Sequence, residues 1–270
     1  MIMKRVAGAL LTALALGSVA AAPASAVQLK ADFTGIVALS NCSGSVVKPP
    51  QAKDTDPALV MSNGHCVKLM GANEVIRNQS STRTFTLLSG ANGTSLGTLR
   101  ATRISYATMH DTDVSFYQLN QTYAQIQQRF PSFRPLPMAN THPTQGAAIQ
   151  VVSGYWKTIY SCNVDGFAFQ LKEDVWTWKD SVRYTSACKT IGGTSGSPVV
   201  DGTGKVVAIN NTGNEDGGRC TLNNPCEVSQ TGQVTVRQGI NYAEEIYQIP
   251  ACIGAGNQFD LTLPGCTLPR

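Results

Sequence analysis

Residues 192–209 read GGTSGSPVVDGTGKVVAI, and the second half of this stretch decides the fold class. Two β-branched runs, at 199–200 and 206–209, flank a turn that opens with Asp201-Gly202. Such runs on either side of an Asp-Gly turn are typical of a β-hairpin. Similar short runs recur along the chain between Gly, Asn, Pro and Ser, which favours a β-sandwich or β-barrels. We therefore predict an all-β protein.

The other predicted strands are also short apolar runs bounded by turn residues. They lie at 34–39, 58–61, 84–88, 114–119, 148–152, 166–171 and 175–178. Two segments instead predict short helices, at 121–130 and 242–249. Residues 131–144 are rich in proline without clear periodicity, which predicts an extended linker. We therefore predict an N-terminal domain over 27–130 and a C-terminal domain with a tail over 145–270.

The first 26 residues have the composition of a secretory signal peptide. Lys4 and Arg5 form a basic segment, the run 6–21 is apolar, and Ala24-Ser25-Ala26 supplies small residues for cleavage. The apolar run is short for a membrane span, so secretion is favoured over a membrane anchor. We expect an extracellular protein without membrane association after signal removal.

Composition and charge exclude several classes of protein. Charged residues make up 14% of the chain and hydrophobic residues 42%, which argues against a disordered chain and against a coiled coil. Loss of Lys4 and Arg5 with the signal peptide lowers the formal charge from +4 to +2 (4 − 2 = 2). So small a charge does not predict a nucleic-acid partner. We expect a monomer without a cofactor.

All cysteines follow the predicted signal peptide: Cys42, Cys66, Cys162, Cys188, Cys220, Cys226, Cys252 and Cys266. An even number in an exported chain predicts four disulfides. Roughly 100 pairings exist, so the connectivity stays open, although proximity favours neighbours: 42–66, 162–188, 220–226 and 252–266. There is no Cys-x-x-Cys pair, and His65-Cys66 is the only adjacent His/Cys couple. No metal site is therefore predicted.

Three segments carry residues suited to nucleophilic catalysis. Glycines bracket Ser195 in the stretch 192–198, and such glycines allow backbone N–H groups to converge on one point, as an oxyanion hole requires. His65 follows an apolar run and precedes a cysteine, so a disulfide would hold this candidate general base. Asp113 directly precedes an apolar strand, where a carboxylate can orient a histidine. Asp111 is a weaker candidate for that role because it lies further from the strand.

In their order along the chain, these segments resemble those of the chymotrypsin-like (trypsin-fold) serine proteases, especially secreted bacterial members. In that family a Gly-His-Cys segment carries the base, an Asp before an apolar strand orients it, and a Gly-rich Ser-Gly segment ending in Pro carries the nucleophile. The resemblance runs from about residue 34 to 249. It implies a catalytic triad of His65, Asp113 and Ser195, with the N–H groups of Gly193 and Ser195 as the oxyanion hole.

The resemblance also implies the architecture. We expect two antiparallel six-stranded β-barrels with the active site between them and a short C-terminal helix, for which 242–249 is the candidate. Cys42 and Cys66 match the family's disulfide beside the histidine. Thr194 departs from the family, since animal members carry an Asp there that pairs with a freed N-terminus. We therefore expect no activation step of that kind.

The resemblance places the substrate-binding residues at Lys189, Thr190, Asn210, Asn211, Thr212 and Gly213. Lys189 lies where a preference for Lys or Arg would require an acid. Two alternatives stay open for it: it attracts an acidic side chain of the substrate, or it points to solvent. Thr190 resembles a position that glutamate-specific bacterial relatives use, although Asn210 stands where they carry His. We hypothesise a polar or acidic residue at P1, the substrate residue before the cleaved bond.

These residues favour a secreted serine endopeptidase that cleaves polypeptides through an acyl-enzyme. An α/β-hydrolase needs a histidine after the serine, whereas His142 is the last histidine of the chain. A subtilisin-like enzyme has the order Asp, His, Ser, which Asp32 would complete, but Pro198 and a hairpin follow Ser195 in place of a helix. The alternative that stays open is a catalytically inactive, secreted binding protein of the same fold.

Overall fold

The structure, a computed structural model, describes Ile2 and residues 30–270. The predicted signal peptide, apart from Ile2, lies outside the described residues. Among the described residues no helix is long and apolar enough to cross a membrane.

The N-terminal half forms a closed antiparallel barrel. Its strands are β1 Ile36–Ala38, β2 Ser43–Lys48, β3 Pro57–Ser62, β4 Val75–Ser80, β5 Thr84–Ser89, β6 Thr94–Thr108 and β7 Val114–Thr122. Six of them close the ring in the order β1-β5-β6-β7-β3-β2. Strand β4 pairs with residues 103–108 of the long strand β6, beyond the residues 94–100 that pair with β5. Helix α1, Tyr123–Arg129, follows β7 and confirms the helix predicted over 121–130. A capping box between Thr122 and Gln125 fixes its first residue.

The C-terminal half repeats this design. Its strands are β9 Ala148–Ser153, β10 Thr158–Glu173, β11 Trp176–Tyr184, β12 Pro198–Asp201, β13 Val206–Gly213, β14 Cys226–Val228, β15 Val234–Val236 and β16 Asn241–Glu245. The ring closes in the order β10-β11-β16-β13-β12-β9, while β14 and β15 extend from β10. The hairpin predicted at 199–209 is β12–β13, with Val199 opposite Ala208. The predicted pair of six-stranded antiparallel β-barrels is confirmed.

Strand β7 explains how the first barrel positions the site. Alternate side chains of a strand point to opposite faces. Tyr117 and Leu119 pack in the core of the first barrel, whereas Val114 and Phe116 pack in a second apolar cluster outside it. Both faces of β7 are therefore buried, which fixes its register and the position of the residue that precedes it.

The proline-rich connection between the barrels, residues 131–144, is tied to both of them. Its short strand β8, Leu136–Pro137, runs parallel to β2 of the first barrel. Two residues later, the N–H of Ala139 donates to the carbonyl of Val206 in the second barrel, at 2.8 Å. The segment therefore contacts both rings, through β2 on one side and β13 on the other.

The prediction of a helix over 242–249 is wrong. Residues 241–245 form strand β16, in which Ala243 lies opposite Val182 of β11 and Asn210 of β13. Pairing on both sides outweighs the helical preference of Ala-Glu-Glu. Helical backbone follows only as two short 3₁₀ helices, Ile249–Cys252 and Ala255–Asn257.

The C-terminal tail packs back onto the first barrel. Phe259 stacks on Tyr106 with ring centroids 5.5 Å apart and contacts Phe116 at 5.0 Å. The hydroxyl of Tyr106 donates to the carbonyl of Pro269 at 2.9 Å. The tail thus holds the two barrels together on the side of β7.

All four predicted disulfides between neighbouring cysteines are present: Cys42–Cys66, Cys162–Cys188, Cys220–Cys226 and Cys252–Cys266. Each closes a loop of 6 to 26 residues. A disulfide that closes a loop of about 15 residues typically stabilises the folded state by roughly 3 kcal/mol.

Candidate active site

His65 and Asp113 meet at one edge of the first barrel. Strands β3 and β7 are antiparallel partners with Ser62 opposite Ser115, so the end of β3 and the start of β7 share that edge. His65 follows β3 and Asp113 precedes β7. The ring Nδ1–H of His65 donates to Asp113 Oδ2 at 2.7 Å, and its backbone N–H donates to Oδ1 at 3.0 Å. Asp113 is fully buried, whereas the His65 side chain is 23% exposed.

Asn63 holds the aspartate in place from behind. It is fully buried, and its Nδ2 donates to the backbone carbonyl of Asp113 at 2.7 Å. Its own carbonyl accepts from the Ser115 hydroxyl at 2.7 Å. A Cβ at Gly64 would lie 2.1 Å from the carbonyl oxygen of Thr108, so only glycine allows the chain to approach this closely. Hydrogen bonds from Asn63 and His65, and the close approach at Gly64, therefore hold residues 63–65 against Asp113.

Ser195 lies in the loop that enters β12, and the first barrel anchors that loop. The N–H of Ser43 donates to the carbonyl of Ser195 at 2.8 Å, and the Ser43 hydroxyl donates to the carbonyl of Gly193 at 3.1 Å. Gly193 has φ +88°, and a Cβ there would lie 2.9 Å from the Tyr155 ring. Among the residues that the structure describes, the N–H groups of Gly193 and Ser195 donate no hydrogen bond.

A buried network shapes the same loop at Thr194. Its hydroxyl donates to the carbonyl of Ile191 at 2.6 Å and accepts from Asn210 Nδ2 at 3.1 Å. Asn210 Oδ1 accepts from the hydroxyl of Tyr184 at 3.2 Å. The Asn210 side chain is 2% exposed and fully engaged, so it supports the loop from within.

One cleft of about 110 Å³ between the barrels brings the predicted residues together. Its walls include His65, Asp113, Thr190, Ser195, Asn210, Asn211, Thr212 and Gly213. Ser195 Oγ donates to the carbonyl of Asn211 at 3.4 Å, and no hydrogen bond joins it to His65. Such contacts are often long in an enzyme without substrate.

Two predicted site residues, Gly193 and Lys189, are not among the residues that line this cleft. For Lys189 the difference concerns the side chain. Its side chain is exposed, and its N–H donates to Ala187 at 3.2 Å. Two unpredicted acids, Glu173 and Glu215, line the cleft instead. Apart from His65, none of its described lining residues carries a basic side chain. Of the two alternatives for Lys189, the structure has the one in which its side chain is exposed to solvent.

Glu173 and Glu244 are buried carboxylates beside the site. Glu173 Oε2 accepts from the Thr212 hydroxyl at 2.6 Å, and Oε1 accepts from the N–H of Asn223 at 2.9 Å. Glu244 Oε1 accepts from Asn211 Nδ2 at 3.0 Å. Burial raises the pKa of Glu173 and raises that of Glu244 to about 8. Neither residue lies in a motif, so only the fold reveals them.

The carboxylates of Asp113 and Glu173 set the basicity of His65. Burial acts to lower the pKa of its imidazole, but the charge and hydrogen bond of Asp113, together with the charge of Glu173, outweigh burial. The pKa of His65 is therefore raised above 6.5. The histidine is a stronger base than in water and is held in the tautomer whose Nε2 is free to accept a proton.

A sequence model of the trypsin-like peptidase domain matches residues 42–209. The chain belongs to the trypsin-like peptidase family. The match spans β2 to β13 and includes His65, Asp113 and Ser195. The search of curated proteins finds no match.

Solved structures of proteases resemble this trypsin-like peptidase at low sequence identity. The MamO protease domain from Magnetospirillum magneticum is 13% identical with a TM-score of 0.49, covering 80% of this chain and 94% of that one. The active form of the Rv3671c protease from M. tuberculosis is 17% identical with a TM-score of 0.46, covering 87% and 81%. A Glu endopeptidase is 15% identical with a TM-score of 0.47, covering 82% and 88%.

Proposed function

We propose that the protein is a secreted serine endopeptidase in which Ser195, His65 and Asp113 act as a catalytic triad. The observation that carries the proposal is the fully buried Asp113 carboxylate, paired at 2.7 Å with the ring of His65 in the cleft that also contains Ser195. A buried carboxylate in this position fixes the ring tautomer and stabilises the imidazolium that forms during proton transfer.

The proposed reaction proceeds in two halves. His65 Nε2 takes the proton of the Ser195 hydroxyl while Oγ bonds to the peptide carbonyl carbon, and the carbonyl oxygen becomes an oxyanion. The N–H groups of Gly193 and Ser195 bind that oxyanion. His65 then gives the proton to the leaving amine as the C–N bond breaks. A water molecule releases the acyl group by the same steps.

We expect Ser195 to enter this reaction by a rotation of its side chain. Its hydroxyl rests against the carbonyl of Asn211 at 3.4 Å, a long and weak hydrogen bond. Rotation about Cα–Cβ redirects Oγ within the same cleft at small cost. We expect a bound peptide, which fills the cleft and excludes water, to favour the rotamer directed at His65.

A polypeptide substrate is supported by the surface around the cleft. Leu69, Ile191 and Leu222 line it and are 62%, 55% and 47% exposed. Exposed apolar side chains around a polar centre suit an extended peptide, whose side chains can cover them. Four disulfides and the signal-like N-terminus support export to an oxidising compartment.

Labelling with a fluorophosphonate probe tests the proposal. Such a probe phosphonylates a serine only when a base activates it and an oxyanion hole receives the phosphoryl oxygen. We expect labelling of the wild type and none of Ser195→Ala. Ser197→Ala is the matched control, because Ser197 lies two residues further along and its buried hydroxyl has no partner among the described residues. A folded wild type that is never labelled would instead identify an inactive binding protein.

A further inference from the structure

A second cluster of titratable side chains lies outside the cleft, around His142. The ring Nδ1 of His142 lies 2.7 Å from the carbonyl oxygen of Pro143. A carbonyl only accepts, so Nδ1 carries the hydrogen. Nε2 faces two carboxylate oxygens, Asp180 Oδ2 and Glu245 Oε1, each at 3.2 Å. Three atoms that can donate an electron pair to a metal ion therefore lie within 4.8 Å of one another.

Glu245 is the member of this cluster whose burial requires compensation. Its side chain is 5% exposed. Within the described part of the chain, neither of its carboxylate oxygens accepts a hydrogen bond. An ionised carboxylate removed from water without hydrogen bonds is strongly destabilising unless a positive charge neutralises it.

We propose that His142, Asp180 and Glu245 bind a divalent metal ion of the zinc class. The three donor atoms lie within 4.8 Å of one another. Zinc bonds of about 2.0–2.2 Å at tetrahedral angles place two ligand atoms about 3.4 Å apart. The observed N–O separations of 3.2 Å are close to that value. One imidazole with two carboxylates is a donor set for zinc, whereas calcium and magnesium take oxygen ligands.

The surroundings of the cluster favour a metal site over an accidental contact. The bond from Nδ1 to a backbone carbonyl is the arrangement that orients metal-binding histidines. The rings of Phe167 and Tyr247 flank the imidazole edge-on at 4.4 and 5.1 Å and restrict its rotation. His142 and Asp180 are 38% and 41% exposed, which leaves a fourth position open to water. Zinc with a neutral histidine and two carboxylates has no net charge.

The position of the three ligands indicates a structural role. His142 lies in the connection between the barrels, Asp180 in β11 and Glu245 at the end of β16. A metal ion would therefore fasten this connection to the second barrel. We expect its binding to stabilise the folded chain, since it binds a site that the unfolded chain lacks.

Zinc binding to chelator-treated full-length protein, measured by calorimetry, tests the site. We expect one zinc per chain and at least about tenfold weaker binding in His142→Gln and Glu245→Gln. His110→Gln is the matched control, because His110 is also half-exposed beside an aspartate, at 3.8 Å, and should keep full affinity. At zinc concentrations about 100-fold above Kd, the wild-type Tm should rise by roughly 5–10 °C.

Asp180→Asn keeps the test decisive if the other two variants do not fold, because its side chain is half-exposed. Absence of zinc binding by the wild type would overturn the proposal. Full affinity in the folded ligand variants would do the same. Loss of binding in His65→Gln would place the ion in the cleft, which also contradicts the proposed site.

Discussion

His65 and Asp113 are joined at two points, because the carboxylate accepts from both the ring and the backbone N–H of the histidine, at 2.7 and 3.0 Å. Each oxygen of the carboxylate takes one of these bonds. The ring is therefore held in direction as well as in tautomer.

Asp113→Asn should lower kcat by about 10⁴-fold, because an amide can donate to Nδ1 and then favours the wrong ring tautomer. The matched control is Asp111→Asn. Asp111 lies two residues away and pairs with Lys179 at 2.7 Å on the exposed surface. Steady-state hydrolysis of a peptide ester measures both variants. Equal activity of Asp113→Asn and Asp111→Asn would remove Asp113 from the mechanism.

The acid limb of the kcat/KM profile should have its midpoint above pH 6.5, since the base is active only when neutral and the pKa of His65 is raised. Glu173→Gln removes a negative charge that stabilises the imidazolium. The pKa of His65 should then fall, and the midpoint should move down by up to about one pH unit.

Glu215→Gln is the control for this shift. Glu215 lines the same cleft but is exposed, so water screens its charge and the midpoint should stay in place. A profile that does not respond to Glu173→Gln, or that moves to higher pH, would contradict the electrostatic account of His65.

Glu244 should make the protein less stable as the pH rises. Its pKa is raised by burial from 4.5 to about 8, so between these values the unfolded chain loses a proton that the folded chain keeps. Over that interval the contribution of Glu244 to the free energy of unfolding falls by about 1.4 kcal/mol per pH unit. Urea unfolding at pH 5 and pH 8 should show a smaller loss of stability in Glu244→Gln than in the wild type. An identical loss in both would mean that Glu244 is ionised in the folded state.

Thr194 should be a positioning residue for the nucleophile loop. Thr194→Val removes the hydroxyl that pairs with Asn210 and Ile191 and should cost about 1–3 kcal/mol of unfolding free energy. Displacement of the loop should also lower kcat about tenfold with little change in KM. Thr194→Ser keeps the hydroxyl and should restore kcat. A stability loss without any change in kcat would limit Thr194 to a structural role.

The cleft should disfavour acidic side chains at P1. Glu173 and Glu215 line it, while Lys189 is exposed outside it. This reverses the preference inferred from sequence. Profiling with a peptide library should show Asp and Glu depleted at P1 relative to uncharged residues, and Glu173→Gln should reduce that depletion. Enrichment of Glu at P1 in the wild type would contradict this assignment of charge.

Local sequence patterns predicted the elements whose contacts join residues close together in the chain. The Asp201-Gly202 turn predicted the β12–β13 hairpin, and Thr122 with Gln125 encodes the start of α1. Neighbouring cysteines paired because short loops close at low entropic cost. Residues 242–249 were misread as a helix because β16 depends on two strands distant in sequence.

Long-range partners explain what sequence reasoning missed. Glu173 carries no motif and reaches the cleft only because β10 ends there. His142, Asp180 and Glu245 are separated by 38 and 65 residues (180 − 142 and 245 − 180), so no spacing rule connects them. Asn63 donates to the backbone carbonyl of Asp113, 50 residues further along the chain, a contact that no local pattern predicts.

The acyl-enzyme itself provides the most direct test of the proposed triad. Intact-protein mass spectrometry of samples acid-quenched during turnover of a slowly deacylating peptide ester should show one acyl group per chain. Peptide mapping should place that group on Ser195, and His65→Ala should accumulate none. Turnover by the wild type without an adduct on Ser195, or with the adduct on another residue, would contradict the assignment of Ser195 as the nucleophile.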